Sequence, residues 1–165
     1  MNGNRLLVSC IGIAGCWVMC ASAFAQSGQS FRLLCQSVGS STPEPLGDRD
    51  GHSISVAEVS CRVEGGLMDG GILTGTGITE WDKTNGVLLA GSGVTRKPGA
   101  TTAYRNTEAR VALTLSDGKV VGSSGSGRGL FTLATGAAAA LGAKTYSYTF
   151  KSVGPGQAVF DVKID

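Results

Sequence analysis

Apolar residues along this chain recur at every second position far more often than at every third or fourth. Tyr146, Tyr148 and Phe150 alternate with Ser147 and Thr149, and Ala158, Phe160, Val162 and Ile164 keep the same beat. In the extended run 101–115, Val111, Leu113 and Leu115 fall on one side and Arg110, Ala112 and Thr114 on the other. A period of two marks a half-buried strand, because successive side chains of an extended backbone point to opposite faces. Phe31 to Gln36 reads as a short first strand. The run 52–63 is extended too, but Ile54 and Val56 share one face while Ala57, Val59, Cys61 and Val63 share the other. That slip predicts a bulge near Val56-Ala57. No segment sustains a period of 3.6 over more than two turns, so long helices are not expected.

Turn chemistry separates almost every strand. Residues 39–50 are dense in Gly, Ser, Pro and Asp and read as a loop; Gly65-Gly66, Asp69-Gly70, Lys97-Pro98-Gly99 and Gly154-Pro155-Gly156 are turns. Ser116-Asp117-Gly118 is a hairpin, since Asp-Gly tolerates the positive φ of tight connections. Residues 136–142, Gly-Ala-Ala-Ala-Ala-Leu-Gly, predict a tight small-residue connection or one helical turn.

One pattern occurs twice. Gly71-Ile72-Leu73-Thr74-Gly75-Thr76-Gly77-Ile78-Thr79 is echoed by Gly86-Val87-Leu88-Leu89-Ala90-Gly91-Ser92-Gly93-Val94-Thr95. The copies predict neighbouring antiparallel strands joined by Asp82-Lys83-Thr84-Asn85, with the inner glycines as bends that let the sheet curl. About eight or nine short strands in some 140 residues fit an all-β fold. We expect an antiparallel up-and-down β-barrel of about eight strands, since closure removes exposed edges; a β-sandwich is the alternative.

The N-terminus changes where this barrel is expected. Met1 to Arg5 is polar and basic, Leu6 to Cys20 is apolar without charge, and Ala23-Phe24-Ala25 offers small residues at a cleavage site. This is the layout of a cleavable signal peptide over 1–25, leaving one domain over 26–165, exported to the periplasm or secreted. A lipobox-like Ile13-Ala14-Gly15-Cys16 gives a minor alternative, lipidation at Cys16. Cleavage also removes Cys10, Cys16 and Cys20. The remaining pair, Cys35 and Cys61, is then expected to form a disulfide. Lys+Arg falls from 14 to 13 against 12 acids, and the basic residues are scattered singly. Nothing there resembles a nucleic-acid footprint. After cleavage the domain holds eight aromatics, too few for the two girdles of a membrane barrel, so no membrane insertion is expected.

The single histidine, His52, excludes His-based triads and multi-histidine metal sites. Asp48, Asp50 and His52 form either a small polar or cation site, since carboxylates two apart can share a hard cation, or, more simply, a solvated turn. No cofactor, metal or catalytic residue is assigned. The residues expected to line a ligand pocket inside the barrel are Trp81, Tyr104, Glu108, Tyr146 and Tyr148, with an interior Glu as the one route to acid–base chemistry.

Gly125-Ser126-Gly127-Arg128-Gly129-Leu130-Phe131-Thr132-Leu133-Ala134-Thr135-Gly136 resembles the Gly-x-Gly…Phe-x-x-Ala-x-Gly pattern of allene oxide cyclase-like and dirigent-type barrels. The resemblance spans about residues 71–152. It implies an eight-stranded barrel, often trimeric, with an apolar cavity, and none of that group's catalytic residues is carried over to this chain. Three roles follow as expectations. They are an exported protein binding a small apolar ligand, a structural or interaction protein of the cell envelope with a filled barrel, and a cofactor-free isomerase or cyclase. The oligomeric state is left open.

Overall fold

The computed structural model describes residues 29–39 and 41–165. The predicted signal peptide and Cys16 lie outside them. The strands are β1 (Ser30–Val38), β2 (Glu44–Pro45), β3 (His52–Glu64), β4 (Ile72–Asp82), β5 (Asn85–Lys97), β6 (Ala100–Ser116), β7 (Lys119–Gly136), β8 (Thr145–Gly154) and β9 (Gln157–Ile164). From β3 to β9 each strand pairs antiparallel with the next. β1 pairs with both β9 and β3, which closes eight strands into an up-and-down barrel. β2 is a ninth, two-residue strand lying against β3. The sandwich alternative is thereby replaced by a closed barrel, and the repeated glycine motifs are indeed the neighbours β4 and β5, joined at Lys83-Thr84.

The lumen is the core. Leu33, Cys35, Cys61, Val63, Leu73, Phe131, Tyr146, Val162 and Ile164 are buried inside it. One end is capped. The loop 65–71 turns Leu67 and Met68 inward, and the β7–β8 connection supplies Ala138 and Leu141 around a single 3₁₀ turn, Ala139–Leu141. The opposite end carries the segment 41–51, here called the strap, and the turns between β4 and β5, β6 and β7, and β8 and β9. There β6 and β7 outrun their neighbours. β5 leaves β6 at Ala112 and β8 leaves β7 at Ser124, so a ribbon bearing exposed Leu115, Val120 and Val121 projects beyond the barrel.

The predicted bulge in β3 is absent. The register with β4 runs unbroken from His52 opposite Asp82 to Arg62 opposite Ile72. Ser55, Ala57, Val59, Cys61 and Val63 form one inward face, while Val56 points outward and is 54% exposed. Register shifts fall elsewhere, in the β4–β5, β6–β7 and β8–β9 pairs; among them, Leu89 has no partner between β4 and β5, and Thr107 none between β6 and β7.

Inner glycines do more than bend strands. Gly125, Gly127 and Gly129 of β7 lie opposite Phe150, Tyr148 and Tyr146 of β8, and a Cβ on any of the three would overlap that ring. Gly75 and Gly93 make the same room for Tyr104, as Gly86 does for Trp81. A missing side chain on one strand is the floor on which a large ring from the next strand lies flat.

Candidate functional site in the barrel lumen

Aromatic rings run along the lumen as a ladder. Tyr104 meets Tyr146 edge-on with centroids 6.2 Å apart, Phe131 sits 5.2 Å from Tyr146, and Tyr148 lies between Tyr146 and Phe160 at 6.3 and 5.7 Å. Phe150 stacks on Phe160 at 4.8 Å. Such offset and edge contacts each stabilise by roughly 0.5–1.5 kcal/mol beyond the area they bury.

Beside the ladder is a cavity of about 90 Å³, walled by Phe31, Leu33, Leu141, Tyr104, Tyr146 and Tyr148 among others. At ~30 Å³ per water molecule this is room for about three waters. Polar groups reach it from three strands. Tyr146 donates its hydroxyl to Asn106 Oδ1 at 2.8 Å. Among the described residues Thr102 Oγ1 is fully buried without a hydrogen-bond partner. Burial disfavours the phenolate, so Tyr104 and Tyr148 are pushed up to about 12 from the usual 10. Tyr146 is raised as well, by burial first and then by the neighbouring phenols. These tyrosines therefore stay neutral hydrogen-bonding groups near neutral pH.

Of the five expected lumen residues, three come together here: Tyr104, Tyr146 and Tyr148. Trp81 also points inward, but toward the strap end, where its Nε1–H donates to Ser55 Oγ at 2.8 Å; it does not wall the cavity. Glu108 points out. Continuing the even-numbered face from Tyr104 would put it inside, but the unpartnered Thr107 shifts the phase, so Ala109 is buried and Glu108 is exposed. It lies 3.7 Å from Arg128 on the outer wall. Asn106, which the alternation would have flagged beside Tyr104, is the lumen residue that sequence reasoning passed over.

Cys35 and Cys61 are register partners inside the lumen, joined by a disulfide with S–S 2.07 Å. It staples β1 to β3 on either side of the long connection that carries the strap.

His52 is buried on the outside of the wall, beneath the strap. Its Nδ1 lies 2.5 Å from Asp48 Oδ1 and its Nε2 lies 2.7 Å from Glu80 Oε1. The sequence pointed to Asp48 and Asp50; Glu80, far away in the chain, replaces Asp50 because β3 and β4 are neighbours. The hydrogen bond to Asp48, and next that to Glu80, raise His52 above its ordinary 6.5. The same bond to His52 holds the Asp48 carboxyl below the usual carboxylate range. Among the described residues no set of three or more His, Cys, Asp or Glu is placed to hold a metal ion.

A wide groove of about 790 Å³ lies along the wall over β6 to β9, edged by Glu108, Arg110, Arg128, Asp161 and Lys163, with Ser126, Ser147 and Thr149 between them. The chain matches no protein-family model, and a search of curated proteins finds no significant match.

Proposed function

We propose that this chain is an exported structural or interaction protein of the cell envelope, a packed barrel that acts through its outer surface. The observation that carries the reading is the lumen's free volume. About 90 Å³ is far below the roughly 300–1,000 Å³ of sites that hold metabolites or lipids. The wall supports it from the other side. Arg32, Arg62, Arg105, Arg110, Arg128, Lys151, Asp161 and Lys163 all face outward and are exposed, the reverse of an apolar lipid-facing band. No carboxylate, lysine or arginine walls the cavity, so the acid–base group that an isomerase would need is not presented there. The pairing of Cys35 with Cys61 fits an oxidising compartment. Kinship with allene oxide cyclase-like and dirigent-type barrels is proposed on the Gly125–Gly136 motif, whose first two glycines here underlie Phe150 and Tyr148.

The test is native mass spectrometry of protein purified from its own export compartment, followed by melting curves with apolar probes of graded size. The expected result is a chain starting at Gln26, with no retained small molecule and no stabilisation by a long-chain fatty acid. A retained lipid, or a fatty acid that raises the melting temperature, overturns the packed-barrel reading.

A second reading is favoured by one group of atoms. Thr102 Oγ1 lacks a protein partner beside an apolar cavity that the Tyr104 and Tyr148 rings also line, an arrangement suited to a ligand of only a few non-hydrogen atoms with a polar head.

A further inference from the structure

The strap crosses the outside of β3 where β1 no longer covers it. β1 pairs with β3 only as far as Val38 opposite Glu58, so the β3 edge from His52 to Ala57 has no partner on that side except β2. There Glu44 lies opposite Ile54 and Pro45 opposite Ser53, and the Leu46 amide donates to the His52 carbonyl at 3.0 Å. One of the two ladder positions is a proline without an N–H, and at the strap's end the Lys83 amide donates to the Gly51 carbonyl at 2.9 Å. The strap's side-chain anchor is His52, 7% exposed, bonded through both ring nitrogens to carboxylates of two different elements.

That geometry has a protonation requirement. A carboxylate only accepts, and a neutral imidazole has one N–H, so both contacts are hydrogen bonds only when both ring nitrogens carry a proton. We propose that His52 is a pH-operated latch. As the imidazolium it ties Asp48 of the strap to Glu80 of the barrel wall, and on losing one ring proton it lets the strap leave the β3 edge. Once one nitrogen is bare, a buried lone pair faces a carboxylate oxygen at less than 3 Å, a repulsive contact that the strap relieves by moving, since Asp48 is half exposed and free to hydrate. Other charges lie near the ring. Arg49 pairs with Asp48 at 3.0 Å and opposes the ring's charge. Glu44, Asp50, Asp82 and Lys83 flank the site on β2, the strap, β4 and the following turn, and none is bonded to the ring. His52 is raised in the folded chain. Its contribution is therefore complete below the 6.5 of a free imidazole and is lost as pH rises through the higher folded value.

Nitrogen-detected NMR of the whole exported chain tests this between pH 5.5 and 9.5. Expected at the acid end are two protonated ring nitrogens on His52. As the ring titrates, above 6.5, the protection factors of the Leu46 and His52 amides should fall at least tenfold while those of Val63 and Tyr146 hold. Asp48→Asn, a change on the exposed strap that leaves the core intact, should lower the titration midpoint and loosen Leu46 already at pH 6. Strap protection that stays constant through the His52 titration overturns the latch. So does a ring with one bare nitrogen at pH 5.5, or an Asp48→Asn chain whose Leu46 amide is as protected as in the parent.

Discussion

The two ends of this barrel are built on different principles. At the capped end, loops fold inward and Met68, Ala138 and Leu141 complete an apolar plug over Leu33, Val63 and Ile164. At the strap end the lumen is lined by small and hydroxyl residues that satisfy one another: Trp81 donates to Ser55, and Ser123 and Ser152 are 2.9 Å apart. Its cover lies outside the wall and is held by charge. The capped end gains stability from apolar burial, whereas the strap end is kept by a few polar contacts. A chain that needs one end permanent and the other adjustable would divide its residues in this way.

The comparison can be broken in several places. Replacing both Cys35 and Cys61 by Ala removes the staple between β1 and β3. The loop closed spans a separation of 26 residues, so the loss should be about 3–4 kcal/mol, read from urea unfolding under oxidising conditions. A loss below ~1 kcal/mol would mean that the sheet ladder alone secures the seam.

Alkali attacks the capped half next. The chain's three tyrosines all lie in the lumen, so its phenolate absorbance reports on nothing else. Tyr104 and Tyr148 stand at about 12 against 10 in the unfolded chain. At 1.36 kcal/mol per unit, each then holds on the order of 3 kcal/mol of stability that is present below pH 10 and disappears as pH approaches 12. Late ionisation, coincident with unfolding, is the expected trace; a smooth rise centred at pH 10 would mean that water already fills the lumen.

Glycines separate the two regions more finely. Gly129→Ala drives a methyl into Tyr146 and the Arg105 carbonyl and should cost ~1–3 kcal/mol. Gly122→Ala, near the ribbon, meets only Ser152 at 3.6 Å and should shift stability by less than ~0.5 kcal/mol. Equal melting temperatures for the two variants would refute the floor-and-ring packing. The smallest effect should have the opposite sign. Thr102→Val removes a buried hydroxyl without a partner and should stabilise the barrel by about 1 kcal/mol. Destabilisation instead would favour the small-ligand reading, in which that hydroxyl is used.

Much of the wall was legible in the chain, because alternation is a local signal. Tyr146-Ser147-Tyr148-Thr149-Phe150 announces both a strand and its inner face, and the paired glycine motifs announce their partnership. Errors arose where one residue breaks the count or where apolar residues face water. Thr107, left out of the ladder, turns Glu108 outward, and exposed Val56 imitates a change of face that the backbone never makes. The His52 anchor was half visible. Asp48 lies one loop turn away, but Glu80 meets the ring only after two strands have paired, and no spacing along the chain encodes that.

Seating each ring on a neighbour's bare backbone also constrains how this protein can change. Position 129 cannot acquire a side chain while 146 keeps its hydroxyphenyl group, and shrinking 146 alone leaves a hole above a glycine. The two sites form one indivisible volume shared between adjacent strands, so single exchanges at either should be purged and tolerated drift should arrive as compensating doublets. A double-mutant cycle across Gly129 and Tyr146 should accordingly be strongly non-additive, whereas one across Gly122 and Tyr146 should sum.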